Sequence, residues 1–395
     1  VTMSPLGALD DIIVADFSRV LAGPLAAMTL GDLGAEVVKV EPPGGDETRS
    51  WTPPADAEGR SAYFLTVNRN KRSLVLDLKH EADRDLAREL VRRADVLIEN
   101  FRPGTMEKFD LDYPTVSALN PGLVYCSITG FGRKDGASMP GYDPLVQAVS
   151  GLMSVTGPAE GEASKTGVAL VDVIAGLNAA NGILAALRAR DRDGVGQRVE
   201  VNLLSTALSA LANQASSYLN TGTSPARMGN VHPSIEPFGT YSASDGPLMI
   251  CAGNDHQFHQ LVRTLGAPQL AEDDRFASNS DRVENRDELR PEIESRLGLD
   301  SVAYWTGSLN EAGVPAGPVN DIGEGFKLAG SLGLGPVDEF EGVRSPRSPL
   351  ELSVTPTATR RRPPELDEHG ADLRTWLAGA RVSESGSGAG PAASG

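Results

Sequence analysis

Cysteine is almost missing. The 395 residues hold only Cys126 and Cys251, far apart in apolar, strand-like runs. Two isolated thiols of that kind exclude a disulfide framework and suit a reducing, cytoplasmic setting. Histidine is scarce as well, with five in the chain. No His-x-x-x-His pair with a third ligand occurs, which argues against a metal site. Positive charge is in deficit: Lys and Arg total 36 against 53 Asp and Glu, a net charge of −17. Such a surface repels phosphodiester backbones, so nucleic acid is a poor partner and any polyanionic ligand needs a local basic pocket. Long apolar runs are lacking too. The longest charge-free stretch, Val201 to Ala226, is interrupted by Asn202, Ser205, Asn213, Gln214, Ser216 and Ser217, and reads as a buried helix rather than a membrane span. Asp10, Asp11 and Asp16 stand where a secretory leader would need basic and then apolar residues. A soluble protein without membrane partners is expected.

Hydrophobic residues at 40% with 23% charged residues give a globular composition, and the length exceeds what one core usually organises. The first third repeats a β-branched run, a Gly/Pro/Asx break and a helical pattern. Ile12–Ala15, Val37–Val40, Leu74–Val75–Leu76, Val96–Ile98 and Leu123–Ile128 read as strands, and a charged amphipathic helix runs from about Glu81 to Ala94. This alternation predicts a doubly wound, Rossmann-like, largely parallel α/β sheet. A small-residue helix follows from Val168 to Arg190, then the strand Val199–Val201 and the charge-free helix. The expected organisation is a large domain over 1–200, a linker helix over 201–225, a smaller α+β domain over 226–325, a return segment over 326–380 that packs on the large domain, and a flexible tail over 381–395.

The loop after the first strand, Ser18–Pro24, has no G-x-G-x-x-G, so a nicotinamide or flavin enzyme loses its main support. It still opens a helix beside a cation, which leaves a phosphate-bearing ligand or a plain turn as readings. Glu99–Gly104 sets Asn100, Phe101 and Arg102 just past the carboxyl end of a buried strand, where open α/β sheets bind ligands. Phe101 could stack on a heterocycle while Arg102 or Lys108 meets phosphate, or the segment could be a turn around a core Phe. Asn70–Lys71–Arg72 and Lys79 add cations, although a Lys-Arg pair is more often a solvated surface feature. Asp172 is the ionisable group of the apolar run Gly167–Gly176. A carboxylate there is protonated, bonded by backbone amides, or used in catalysis, and an N-cap role alone would also justify it. At a helix N-terminus it would stay ionised through the dipole. Asp143 reads as a turn residue, and His232 and His256 as candidate acid–base groups.

Asp16–Pro24, Gly34–Glu41, Asn70–Ser73, Glu99–Gly104, Gly130–Gly132, Gly141–Asp143, Ala312–Pro315 with Gly317–Val319, and Glu368–His369 resemble, in that order, the class III CoA-transferase family. The resemblance runs from about Ile12 to Leu377. It implies a homodimer of interlocked, ring-like subunits and a catalytic aspartate at Asp172. It implies CoA contacts at Arg19, Leu76, Lys79, Asn100, Phe101 and Lys108, with Tyr142 and Asp143 beside them, and a substrate loop marked by His232 and Asp255. No tightly bound cofactor is implied. Coenzyme A enters as acyl-CoA substrate, with a carboxylic acid as acceptor, through an aspartyl anhydride and an aspartyl-CoA thioester.

Pro42 and Pro140 stand where formyl-CoA transferases of this family carry basic residues. Their glycine-rich flap is replaced by Asn230–Ile235, which argues against formate and oxalate as substrates. The racemases of the family place a histidine just before the Asp143 position, and here that residue is Tyr142. A phenol titrating near pKa ~10 is a poor substitute for imidazole, which favours transfer. The alternatives are a 2-methylacyl-CoA racemase using Asp172 with Asp255 or His232, and a non-catalytic CoA-binding dimer.

Overall fold

The computed structural model describes residues 7–384 and divides them into two units. The first takes in the described residues up to Ser150, Thr166–Ser216 and those from Gly335 onward; the second takes in Gly151–Lys165 and Ser217–Leu334. The second unit therefore begins before the 226–325 span read from composition and includes a segment placed with the large domain.

In chain order the first unit contains β1 (Ile13–Asp16), α1 (Ala22–Asp32), β2 (Glu36–Glu41), α2 (Ala62–Val67), β3 (Lys71–Val75), α3 (Glu81–Arg93), β4 (Val96–Glu99), α4 (Tyr113–Leu119), β5 (Val124–Thr129), α5 (Asp143–Val149), α6 (Leu170–Asp193), β6 (Arg198–Asn202) and α7 (Leu203–Ala210). The six strands form one sheet in the order β3-β2-β1-β4-β5-β6, and every pairing is parallel. β4 and β5 are buried along their whole length, as strands covered on both faces must be. The order reverses between β1 and β4. The crevice beyond their carboxyl ends is where such sheets admit ligands.

Small residues let helices approach closely over this sheet. A Cβ on Gly176 of α6 would lie 2.6 Å from the carbonyl oxygen of Ala22 in α1, so the crossing admits only glycine there. Among the described residues α6 is the one helix long and apolar enough to cross a membrane. Its Val171, Ala175, Ala179, Ile183 and Leu187 are buried within the unit.

The 201–225 stretch is not one helix. β6 runs to Asn202, whose side chain accepts the Ser205 N–H at 2.8 Å and so caps α7. Ala212 then takes φ +45°, a left-handed turn that separates α7 from α8 (Ala212–Thr221). β3 begins at Lys71 rather than near Leu74, because charged side chains at its start have internal partners.

The second unit has an antiparallel sheet in the order β7-β8-β9 (Phe238–Ser242, Pro247–Cys251, Ala316–Pro318). Around it lie α9 (Asp255–Thr264), α10 (Asn279–Glu284), α11 (Arg286–Leu297), α12 (Val302–Glu311) and α13 (Ile322–Ser331). Its separate core joins Leu248, Ile250, Phe258, Leu261, Ile293 and Trp305.

The chain then returns to the first unit through the hairpin β10–β11 (Val337–Phe340, Val343–Pro346) and α14 (Gly370–Glu384). Leu373 and Leu377 of α14 join Leu90, Leu97 and Val40 in the core. Asn70 fastens this return. Its Oδ1 accepts the N–H groups of Arg360 and Arg361 at 2.7 and 3.1 Å, and its Nδ2 donates to Asp32 and to the Ala358 carbonyl at 2.8 and 2.9 Å. α14 continues through Glu384, past the expected start of the tail at 381; residues 385–395 of that tail lie outside the described residues.

Replacing Asn70 by Ala removes one donor from buried Asp32 and leaves the part-buried amides of Arg360 and Arg361 without their acceptor, at up to about 1–3 kcal/mol for each orphaned group. Urea unfolding of Asn70→Ala is expected to show about 2–4 kcal/mol less stability than the parent chain. A loss under about 0.5 kcal/mol would contradict this role.

Candidate active site

The loop that follows β1 is built from inside the sheet. Asp16 is fully buried at the strand end, and its Oδ1 accepts the Ser18 N–H at 2.9 Å. Lys71 of β3 donates to Asp16 Oδ2 at 2.9 Å, to the Pro24 carbonyl at 2.9 Å and to Asn68 Oδ1 at 3.1 Å. Lys39 of β2 donates to the Ser18 carbonyl at 3.1 Å and to Asp46 Oδ2 at 2.9 Å. Burial alone would raise Asp16, but Lys71 and Lys39 outweigh it and hold the carboxyl below its usual range. Burial pushes the Lys71 ammonium down to about 8 despite Asp16. Lys71 is thus an internal strut, not the solvated cation its sequence neighbourhood suggested.

These struts hold an unfavourable conformation. Val20 takes φ +68°, which costs a β-branched residue on the order of 1–3 kcal/mol. The Asp46 carboxylate accepts the Val20 N–H at 3.3 Å, and Asn100 brackets Arg19, accepting its N–H at 2.9 Å and donating to its carbonyl at 2.7 Å. The loops after β1 and β4 are thereby locked together at the switch point of the sheet. The Arg19 guanidinium is left beside Glu47 at 3.1 Å and 5.9 Å from the Phe101 ring centre.

Two pockets open from this point, both within the first unit. Asn100, Arg102, Pro140, Tyr142 and Asp172 line one. Pro42, Leu76, Leu78, Lys79 and Phe109 line the other. Arg19, Glu47 and Phe101 border both. The sequence-derived residues Arg19, Leu76, Lys79, Asn100, Phe101, Tyr142 and Asp172 therefore gather in two adjoining spaces. Lys108 borders neither; it is exposed on the turn Met106–Phe109, next to Phe109. The wall of the first pocket depends on Gly130 and Gly141, where a Cβ on either would lie 2.4 Å from the other's Cα.

Asp172 is the third residue of α6, and Ala169 occupies the N-cap position instead. Asp143, the first residue of α5, supplies the missing cap from a distance. Its Oδ2 accepts the N–H groups of Val171 at 2.8 Å and Asp172 at 3.2 Å. Its Oδ1 accepts from Gln147 Nε2 at 2.6 Å, and Gln147 in turn accepts the Thr166 N–H at 2.9 Å. Asp143 is therefore more than the turn residue read from its neighbours. Burial first, and the Asp143 carboxylate second, raise Asp172 to about 7. This corrects the expectation that the helix dipole keeps Asp172 ionised: the amides that would do so are spent on Asp143.

Tyr63 of α2 was not legible as a site residue. Burial, Asp172 and Asp143 raise its phenol to about 12, so it stays protonated near both carboxylates. It packs against the cluster of Leu21, Met28 and Val67, and its ring meets Trp51 edge-on at 4.9 Å. Its sequence context, a short apolar helix after Pro53 and Pro54, carries no periodic or charged signal. His232 and Asp255 belong to the second unit. His232 Nδ1 accepts the Ser234 N–H at 3.1 Å, and Asp255 pairs with Arg282 at 2.6 Å.

A sequence profile for CoA-transferase family III matches residues 9–370. The acetyl-CoA:oxalate CoA-transferase of Acetobacter aceti is 41% identical, over 95% of this chain and 97% of its own length. The succinate–glutarate CoA-transferase of Agrobacterium fabrum is 42% identical, over 93% and 95% respectively. Among solved structures, a CaiB/BaiF family protein from Brucella suis superposes with a TM-score of 0.87 at 44% identity, covering 95% of this chain and all of that one.

Asp172 has a consequence for stability. From its ordinary 3.8 to about 7, the folded protein holds a proton that the unfolded chain has released, so stability falls as pH rises through that window. The loss reaches up to about 4 kcal/mol above pH ~7. Asp172→Asn is therefore expected to be more stable than the parent by about 2–4 kcal/mol at pH ~8 in urea unfolding, with the gap closing by pH ~4. A gap independent of pH would refute the raised value.

Proposed function

The chain belongs to CoA-transferase family III, and on that premise we propose that it moves CoA between carboxylic acids by transient acylation of Asp172. The observation that carries this reading is a carboxyl raised to about 7 by burial and by Asp143, on the wall of the pocket that Arg19, Asn100 and Phe101 also line. About half of such groups are ionised at neutral pH, and a poorly hydrated, more basic carboxylate is the better nucleophile.

The Asp172 carboxylate attacks the thioester carbonyl of the donor acyl-CoA, forming a mixed anhydride and expelling CoA thiolate. The thiolate leaves readily, since its conjugate acid titrates near ~8.5. It returns to the aspartyl carbonyl of the anhydride, giving an aspartyl-CoA thioester and releasing the donor acid. The acceptor carboxylate then attacks that thioester, again expelling thiolate. Attack of the thiolate on the acceptor's acyl carbon forms the new acyl-CoA and restores Asp172. No external proton or hydride is consumed.

CoA binding is assigned to the second pocket together with the shared wall. Leu76, Leu78 and Phe109 offer an apolar bed for a heterocycle, while Arg19, Lys79 and the exposed Lys108 supply charge for phosphates. The relatives are named for oxalate and for succinate with glutarate, which supports dicarboxylic acids as the acid substrates. The first of these names removes the weight of the missing glycine-rich flap as an argument against oxalate. Among the described residues of the first unit no histidine lines the Asp172 pocket, which supports transfer over racemisation. Exposed Leu145, Val149, Leu177 and Leu208 on α5, α6 and α7 support self-association into a homodimer.

Incubation with succinyl-CoA followed by hydroxylamine is expected to convert Asp172 to a hydroxamate, read by mass spectrometry of the peptide that carries it; the same adduct on Asp172→Ala protein would refute the assignment. Asp143→Asn removes the like charge beside Asp172. The acid limb of the kcat/KM profile should then move to lower pH by about one unit or less. An unmoved limb would separate Asp143 from the titration of the nucleophile.

A further inference from the structure

The second unit holds a pocket of its own, lined by Arg227, Arg286, Arg290, Glu236, the exposed Asp287, Met228 and Val231. Two of its arginines are committed. Arg227 donates to the carbonyls of Pro158 and Gly161 at 3.1 and 2.9 Å, and Arg290 donates to the Thr240 carbonyl at 2.6 Å and to Glu294 at 2.9 Å. Arg286 is committed only in part. Its Nε and Nη2 donate to the carbonyls of Val283 and His232, both at 3.2 Å, but Nη1 is buried with no protein acceptor.

Glu236 mirrors it. The residue is 1% exposed, and Oε1 accepts the Tyr241 hydroxyl at 2.6 Å, yet Oε2 is buried with no protein donor. No ion pair joins Glu236 to Arg286 among the described residues. A buried donor and a buried acceptor left open among the residues of one pocket are each costly, which makes their coincidence a ligand signature.

We propose that this pocket binds a short aliphatic carboxylic acid, whose carboxyl group accepts from Arg286 Nη1 and shares one proton with Glu236 Oε2. Both residues line this pocket, and a carboxyl group is the chemistry that offers an acceptor to Arg286 and a shared proton to Glu236. Burial raises Glu236, opposed only in part by the Tyr241 hydroxyl and then by Arg286, Arg290 and Arg282, which favours a shared proton there. Two facing carboxyl groups cannot both ionise, so binding takes up a proton and tightens as pH falls. Ala159, Met228 and Val231 give the hydrocarbon body an apolar wall, which a bare phosphate would not use. The site stands on residues of the second unit alone and does not depend on acylation of Asp172.

Calorimetric titration of the full chain with butyrate, butyramide and inorganic phosphate tests this. Butyrate is expected to bind the parent and Asp172→Ala alike, with heats that differ between buffers because a proton is taken up; butyramide and phosphate are expected not to bind. Arg286→Met should weaken butyrate by ~10-fold or more, and Arg286→Lys should restore part of it. Glu236→Gln should keep binding, through its amide donor, but lose the proton uptake. Where Arg286→Met fails to fold, the Glu236→Gln titration decides. Undiminished proton uptake in that variant, binding lost in Asp172→Ala, equal binding of butyramide or phosphate, or no butyrate heat at any pH overturns the site.

Discussion

The Asp143 carboxylate seated on the first amides of α6 is the interaction on which the site depends. A helix must satisfy its leading N–H groups, and most do so with a side chain at the N-cap. Here Ala169 occupies that position and cannot. The cap arrives instead from α5, which ties two helices together and sets where Asp172 stands. The same oxygen atom brings a negative charge against the neighbouring carboxyl. Structural closure and the smaller share of the upward shift of Asp172, after that of burial, come from one contact.

A second feature is charge placed inside the sheet rather than around it. Lys39 and Lys71 are fully buried, and Asp16, Glu41 and Asp46 answer them. Such groups are costly to bury, and each is paired and further hydrogen-bonded. Their work is done on backbone carbonyls and amides, at Ser18, Val20 and Pro24, where they fix the turn that Arg19 rides on. The chain therefore spends several of its few cations on architecture. Arg19, Arg102 and Lys79 are the cations that line the two pockets at the switch point.

Much of this was legible in the sequence. The β–α alternation gave the parallel sheet because fully buried strands read as unbroken apolar runs, as in Val96–Ile98. Asp172 stood out because an ionisable group in an apolar run demands a reason. The clustering of Arg19, Asn100 and Phe101 followed from the rule that loops past strand ends line the crevice. What was hidden depends on contacts between residues distant in sequence. Asp143 looked like a turn residue because the amides it caps, those of Val171 and Asp172, lie far along the chain. Tyr63 carried no local signature. Lys71 looked solvated because the burial of a charge is decided by Asp16, on a strand far from it in the chain. The break at Ala212 is invisible to composition, since alanine favours helix and only the backbone turn reveals the interruption.

The fastening of the return segment on Asn70 has a consequence for biosynthesis. Every residue of the second unit has been translated by Leu334, whereas the first unit still lacks its closing pieces. Until Arg360 and Arg361 emerge, Asn70 has no partners for its carbonyl oxygen, and until α14 follows, Arg93 cannot donate to the Trp376 carbonyl at 2.9 Å. On the ribosome the later-encoded unit can therefore finish folding while the earlier-encoded one remains an open sheet. A nascent chain released short of this segment exposes the unfinished edge of that sheet, which is the surface chaperones and proteases recognise first.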